Sequence, residues 1–179
     1  MLLLIFTFGV IFWTLTEYLL HRFLGHVHKG KNFFKAEHGL HHSRFNYFAP
    51  VYIKAAGALF FFIVLFVLIS VLVPKIMALA FLIGFFGMAG LYELTHFRFH
   101  STQPLAMPFI ILRKHHFYHH FHDPKTNFGV TTRFWDRVFG TFTAVEKVTV
   151  PQKMAMPWLL EEDEIKDAFS PHFCFAGKR

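Results

Sequence analysis

A chain of 179 residues has room for one domain with a single core, and too little for a catalytic domain joined to a separate redox domain. With 54% hydrophobic and 20% aromatic residues, 27 of them Phe, only 16% charged residues and a formal charge of +7, the composition points to a chain whose solvent is partly lipid. The single cysteine, Cys174, excludes an internal disulfide and a thiolate metal cluster and fits a reducing compartment.

Three stretches carry no charged or histidine side chain: Met1 to Thr16, Ala55 to Pro74 and Ile76 to Tyr92. A spanning helix needs roughly 17 to 25 apolar residues. The second stretch qualifies outright, and the first and third do so by including Glu17 to Leu20 and Glu93 to Thr95, which gives spans at 1–20, 53–74 and 76–95. The first lacks a basic leading region and a small-residue cleavage site, so it reads as a retained anchor and not as a signal peptide. Gly25, Gly30 and Asn32 then break the chain into a loop, "FFKAEHGLHHSRF" resumes as a helix, and Pro50 closes that segment.

Pro74-Lys75 turns tightly between the second and third spans. "STQPLAMPFIIL" is uncharged, too short to cross and holds two prolines, so it is expected to be interfacial or re-entrant. From "DPKTNFG" onward turn signals appear, "FGVTTRFWDRVFGTFTAV" is rich in β-branched and aromatic residues, and "LLEEDEIKDAF" has helical spacing. Within this tail Gly129 and Gly140 read as turn formers, Asp136 as a partner of Arg133 or Arg137, and Asn127 and Trp135 as structural. The expected fold is a single all-α integral membrane domain over 1–179, its three spans joined to a helical cap formed by 21–51 and 96–179.

That order of spans puts every histidine cluster on one face of the membrane. Of the 18 Lys and Arg residues only Lys75 falls on the other face, and basic residues of short loops collect on the cytoplasmic side. The histidine face is therefore expected in the cytoplasm, of a bacterial inner membrane or of an endoplasmic reticulum. Attraction to anionic lipid head groups is sufficient reason for the positive charge, with no nucleic-acid partner.

The histidines are the chemical signal, 14 in all. On an α-helix, where each residue advances about 100°, positions i, i+3 and i+4 share a face. His38 with His41 and His42, His116 with His119 and His120, and His96 with His100 all obey that rule. His21 and His26 do not, being roughly 140° apart on a straight helix, so a break is expected at Gly25 with His26 on the following loop. Ten imidazoles exceed what one metal accepts, and two ions with about five donors each is the natural division, with Fe, Zn or Cu suited to such ligands and Mg or Ca not. Glu17, Glu37, Glu93 and Asp123 stand beside the clusters as candidates to orient the rings and offset cation charge. A second register, with His115, His119 and His122 as donors, is also compatible with helical spacing, while His28 and His172 read as ordinary residues.

With "HRFLGH", "HGLHH", "HFRFH" and "HHFYHH" in this order, the chain resembles the fatty acid hydroxylase / sterol desaturase superfamily of integral membrane non-haem di-iron enzymes, from about Glu17 to Thr141. "DPKTNFGVTTRFWDRVFGT" further resembles the fatty acid 2-hydroxylase branch. The resemblance implies metal ligands at His21, His26, His38, His41, His42, His96, His100, His116, His119 and His120, holding two iron ions that zinc can replace in a preparation, with O₂ as co-substrate. It implies hydroxylation of a membrane lipid acyl chain, fatty acid or ceramide, with carbon 2 as one position. Some relatives carry a cytochrome b5 domain at the N-terminus; this sequence starts at a span, so electrons are expected from a separate cytochrome b5 or ferredoxin type partner.

Phe97, Phe99, Phe117, Tyr118 and Phe121 are candidate walls of an acyl channel, with plain core packing as the competing role of each. Within the same chemistry, carotenoid hydroxylation and sterol desaturation or oxidation compete. A metal transporter or sensor is the rival from another class, but its ligands belong near the bilayer midplane, whereas these histidines sit at the span ends.

Overall fold

The computed structural model describes residues 1–103 and 107–177 of the chain. Long apolar runs free of helix breakers set its frame: α1 (Leu2–Leu19), α3 (Val51–Leu72) and α4 (Lys75–Ser101). Together with the π-helical turn that prolongs α1 (Leu20–Val27), these are three helices long and apolar enough to cross a membrane. The third runs past the expected end at 95, and that added length carries His96 and His100. Pro74 separates α3 from α4, because its ring cannot continue the first helix, while its carbonyl accepts the amides of Met77 and Ala78 to start the second.

Glycine sets how α1 and α4 pack. A Cβ on Gly9 would collide with the Phe81 carbonyl oxygen, and one on Gly84 with that of Phe6, so each helix presents a hydrogen where the other's backbone passes. Close backbone approach through small residues is how helices gain van der Waals contact in a lipid setting. Phe12 lies 6.0 Å from Phe81, and Trp13 meets Phe85 edge-on at 5.1 Å. By contrast α3 leans on α4, through Phe62 and Phe86 at 5.5 Å, and buries none of its residues.

Between α1 and α3 in the sequence comes α2 (Phe33–Ser43), started by the Asn32 side chain, which accepts the Lys35 amide at 2.7 Å. The expected re-entrant piece falls partly on 104–106, outside the described residues; from Met107 its remainder is the first part of α5 (Met107–Phe121). Arg113 of α5 is buried and donates to the carbonyls of Arg98 at 2.8 Å and Thr102 at 2.6 Å, which satisfies the end of α4. Its guanidinium lies on the Trp158 ring at 4.3 Å.

The tail wraps α4 and α5 with α6 (Phe134–Val138), β1 (Val148–Val150), β2 (Leu160–Glu161), β3 (Glu164–Ile165) and β4 (Phe173–Phe175). Phe99, Phe117, Val148, Val150, Met156, Leu159 and Phe173 form its buried core. The all-α expectation is corrected here: β1 pairs with β4 in parallel and β2 with β3 in a hairpin, although the fold is mostly helical. Helical spacing in "LLEEDEIKDAF" is likewise overruled. Glu162 and Asp163 take φ of 49° and 65°, the left-handed pair of a two-residue hairpin turn, and Leu160 and Ile165 pair across it against the core.

Replacing Gly84 with Val forces α1 and α4 apart. An overpacked site of this kind costs about 1–3 kcal/mol, so thermal unfolding in detergent micelles should come several degrees lower than for the parent chain, and lower than for Gly87→Val, whose Cβ meets nothing.

Candidate metal centre

Four segments deliver the histidines, and one does so against expectation. The chain does not break at Gly25; it widens into the π-helical turn, where the His28 amide reaches back five residues to the Phe23 carbonyl at 2.8 Å. Bonding at i→i+5 brings residues five apart to nearly the same side, so His21 and His26 converge without a loop. Gly25 has a different role, since a Cβ there would stand 3.0 Å from the His38 ring.

The ten predicted residues gather into two groups of five, His21, His26, His38, His42 and His119 in the first, and His41, His96, His100, His116 and His120 in the second. Within each group, one ring nitrogen per residue lies within 4.8 Å of all the others. Each group takes a histidine pair from one long helix, the i and i+4 residues of one HxxHH run and the middle residue of the other run. The α2 and α5 runs are thus crossed between the groups, with His42 and His120 stacked face to face at 4.1 Å where the groups meet.

Spacing within the groups suits a shared cation. Nε2 of His26 lies 2.8 Å from that of His38 and 3.0 Å from that of His119, and His119 lies 3.2 Å from His42. In the second group Nε2 of His100 and His116 are 3.0 Å apart. Octahedral metal–nitrogen bonds of about 2.1 Å put neighbouring donors about 3.0 Å and opposite donors about 4.2 Å apart. Nε2 of His21, His41, His96 and His120 is buried without a hydrogen-bond partner. A buried nitrogen with no partner is costly in a protein, and a cation supplies what these atoms lack.

Electrostatics keeps the rings in the form a metal needs. Burial pulls His41 down to about 4 and His42 to about 2, and it drives His38, His116, His119 and His120 well below the ordinary histidine value. Neutral imidazole has a lone pair to offer. Which nitrogen offers it is fixed by the other one: Nδ1–H of His21 donates to Phe128 O at 2.5 Å, that of His41 to Tyr47 O at 2.8 Å, and that of His119 to Thr126 O at 2.7 Å. Three backbone carbonyls therefore orient rings, and they leave no trace in side-chain spacing.

The four acids expected beside the rings hydrogen-bond to other groups. Glu17 accepts the amides of Val130 and Thr131 at 2.6 and 3.1 Å, Glu93 pairs with Lys54, and Asp123 caps the Lys125 amide. Glu37 accepts the Tyr47 hydroxyl at 2.7 Å and so steadies the residue whose carbonyl holds His41. Asp136 binds neither Arg133 nor Arg137 but His115, at 2.9 Å. His115 bonds there and His122 accepts the Thr149 amide at 3.0 Å, and neither ring joins either group. His28 and His172 belong to neither group. Phe99, Phe117 and Phe121 pack in or against the cap core and Tyr118 stacks on His122, which is the packing role; Phe97 alone is half-exposed, set against Phe48.

A family model described as fatty acid hydroxylase matches residues 6–141. A dihydroceramide fatty acyl 2-hydroxylase of Arabidopsis thaliana is 33% identical over 80% of this chain and 62% of its own length. A ceramide very long chain fatty acid hydroxylase of Saccharomyces cerevisiae is 37% identical over 77% of this chain and 38% of its own, and a fatty acid 2-hydroxylase of Rattus norvegicus is 33% identical over 79% and 40%. The chain thus spans less than two thirds of the length of these relatives. A solved structure of full-length scs7p, with only the hydroxylase domain visible, superposes with a TM-score of 0.62 at 32% identity, over 79% of this chain and 56% of that one.

Protonation of the clustered rings should set the acid limit of the ion-free protein. The unfolded chain takes up protons below about pH 6.5, whereas folded His41 resists until about pH 4. A ring whose folded pKa is lowered costs nothing where the unfolded ring is also neutral, and it destabilises the fold once the unfolded ring takes up a proton. The ion-free thermal midpoint is therefore expected to fall as pH drops from 6.5 towards 4 and to stay level above 6.5, as differential scanning fluorimetry can record.

Proposed function

The chain belongs to the fatty acid hydroxylase family, and on that premise we propose that it adds a hydroxyl group at carbon 2 of a membrane lipid acyl chain. The reaction uses O₂ and two iron ions, one in each five-histidine group. The observation that carries this reading is the convergence of ten buried or half-buried imidazoles into two sets whose nitrogens face one another. Nitrogen-rich, oxygen-poor donor sets suit iron and zinc over magnesium and calcium, and zinc found in a preparation is a replacement for iron.

Bound there, reduced iron supplies the activation of O₂ that oxidation of an unactivated C–H bond requires. The chain's own residues do the rest. Neutral rings present lone pairs with no proton to displace, and the carbonyls of Phe128, Tyr47 and Thr126 hold three of them in one tautomer. The cap core beneath Trp158 and Phe173 shields one side of the α5 histidines from water. On the other side the apolar surfaces of α1 and α4 lead from the site along the candidate spans, a path for an acyl chain past half-exposed Phe97.

Chain 1–179 acts as one unit in this reading. The three long helices cross the bilayer, and the histidine groups lie on the cytoplasmic side, a placement supported by the Lys and Arg residues that flank the histidine segments in sequence while Lys75 stands in the turn between α3 and α4. An electron donor of cytochrome b5 or ferredoxin type supplies the electrons. The substrate is a free fatty acid or a ceramide-type lipid, as in the names of the relatives.

Two measurements test this. Protein purified under reducing conditions should hold two iron ions, and His41→Ala and His119→Ala should each lower that content and reduce lipid hydroxylation at least about 10-fold, the scale on which lost transition-state chemistry is read. Cells expressing the chain should accumulate 2-hydroxylated acyl chains by mass spectrometry, and cells expressing either variant should not. Unchanged metal content and lipid profile in both variants would refute the assignment.

A further inference from the structure

The tail segment 126–131 is the only stretch of the chain that touches the first histidine group with two backbone carbonyls, among the described residues, and Asp136 governs where it lies. Asp136 is fully buried. Its Oδ1 accepts the Phe128 amide and the Thr141 hydroxyl, each at 2.8 Å, and its Oδ2 accepts the Gly129 amide at 2.8 Å and Nε2–H of His115 at 2.9 Å. Burial by itself would raise this carboxyl, but the His115, Gly129 and Thr141 donors hold it below the usual range, so it stays an acceptor on all four bonds. A carboxylate with four donors fixed in the interior has one position, and it fixes the amides it binds.

What those amides carry is the Phe128 carbonyl, the acceptor for Nδ1–H of His21. The Phe128 ring also lies against His21, His26 and His119, with centroids 5.6, 5.7 and 5.3 Å away. Asn127, held at φ 58° by its exchange of bonds with Thr143, leads back to Thr126, whose carbonyl orients His119. Every histidine that segment 126–128 touches belongs to the first group. In the second group His41 is clamped by the carbonyl of Tyr47, which lies on a different segment.

We propose that Asp136 is a positioning residue for the first five-histidine group alone, acting through the Phe128 carbonyl on His21, with His115 as the donor that seats it. The inference rests on the two-ion reading above. His115 therefore has a role after all, as the support of a support. It also explains why the acidic residue of "FWDRVFG" is buried in an apolar stretch when arginines stand on either side. Asparagine at 136 would turn its N–H₂ towards either the Phe128 amide or the Gly129 amide, leaving donor against donor.

The test is Fe(II) uptake by the full chain in detergent, measured anaerobically as ions per chain, for Asp136→Asn placed in three backgrounds. Alone, it should weaken one of two ions by about 10- to 100-fold, the usual effect of losing a partner of a metal-binding ring. With His100→Ala, which disables the second group, it should weaken binding of the remaining ion by the same factor; with His21→Ala, which disables the first, it should change nothing further. If Asp136→Asn also lowers uptake in the His21→Ala background, or leaves both affinities at parental values, the inference is overturned while the two-ion reading stands. A parent chain that binds no iron, or His21→Ala and His100→Ala chains that each keep two ions, overturns both. Should Asp136→Asn fail to fold, Thr141→Val removes one of the four donors; the same pattern is expected at smaller amplitude, and the same contrary results overturn the inference.

Discussion

Imidazoles that turn lone pairs, and not N–H groups, towards one shared point cannot hold one another in place. In the first group the Nε2 atoms of His26, His38, His42 and His119 point into one small volume, and two lone pairs that face each other repel. Something outside the cluster has to hold each ring. In this fold that support is largely backbone: the carbonyls of Phe128, Thr126 and Tyr47 take the outer N–H of three rings, while helix packing fixes the rest. Almost everything else about the cap follows from the need to keep those carbonyls still.

Two kinds of anchor meet that need. Side-chain carboxylates gather loop amides, as Glu17 does for Val130 and Thr131, and as Glu37 does less directly through the Tyr47 hydroxyl. The tail then packs a core of Val148, Met156, Leu159 and Phe173 over α4 and α5, so the helices bearing His100, His116 and His119 cannot slide. A membrane-spanning bundle alone would not offer this, because lipid supplies no driving force for burial between its helices. The tail brings hydrophobic burial to the very residues that need rigidity.

Much of the fold is legible in the sequence, because length and apolarity identify the long helices and the i, i+3, i+4 rule identifies which histidines share a face. Other features are not, for identifiable reasons. The π-helical turn at Leu20–Val27 arises from register and not from residue type, so the five-residue gap between His21 and His26 suggests a loop that the fold does not need. The acids near the clusters resemble ring partners because proximity in sequence is visible, whereas Phe128, Thr126 and Tyr47 act through oxygens that every residue has. Asp136 reads as the partner of its arginine neighbours, since nothing in the local run announces an α5 histidine 21 positions upstream. The β2–β3 hairpin is hidden because its turn is formed by Glu162 and Asp163 and not by glycine, so an acidic run passes for a helix face.

Crossing the two HxxHH runs between the groups has an architectural result. His41 and His42 are neighbours on one helix yet serve different sets, as do His119 and His120. Any tilt or rotation of α2 or α5 therefore disturbs both sets at once, and no shift of either helix can adapt one set to a new coordination number while sparing the other. Under movement of either helix the two constellations behave as a single mechanical part, like two gears on one axle, so a change confined to one of them has to come from the loop carbonyls and not from α2 or α5.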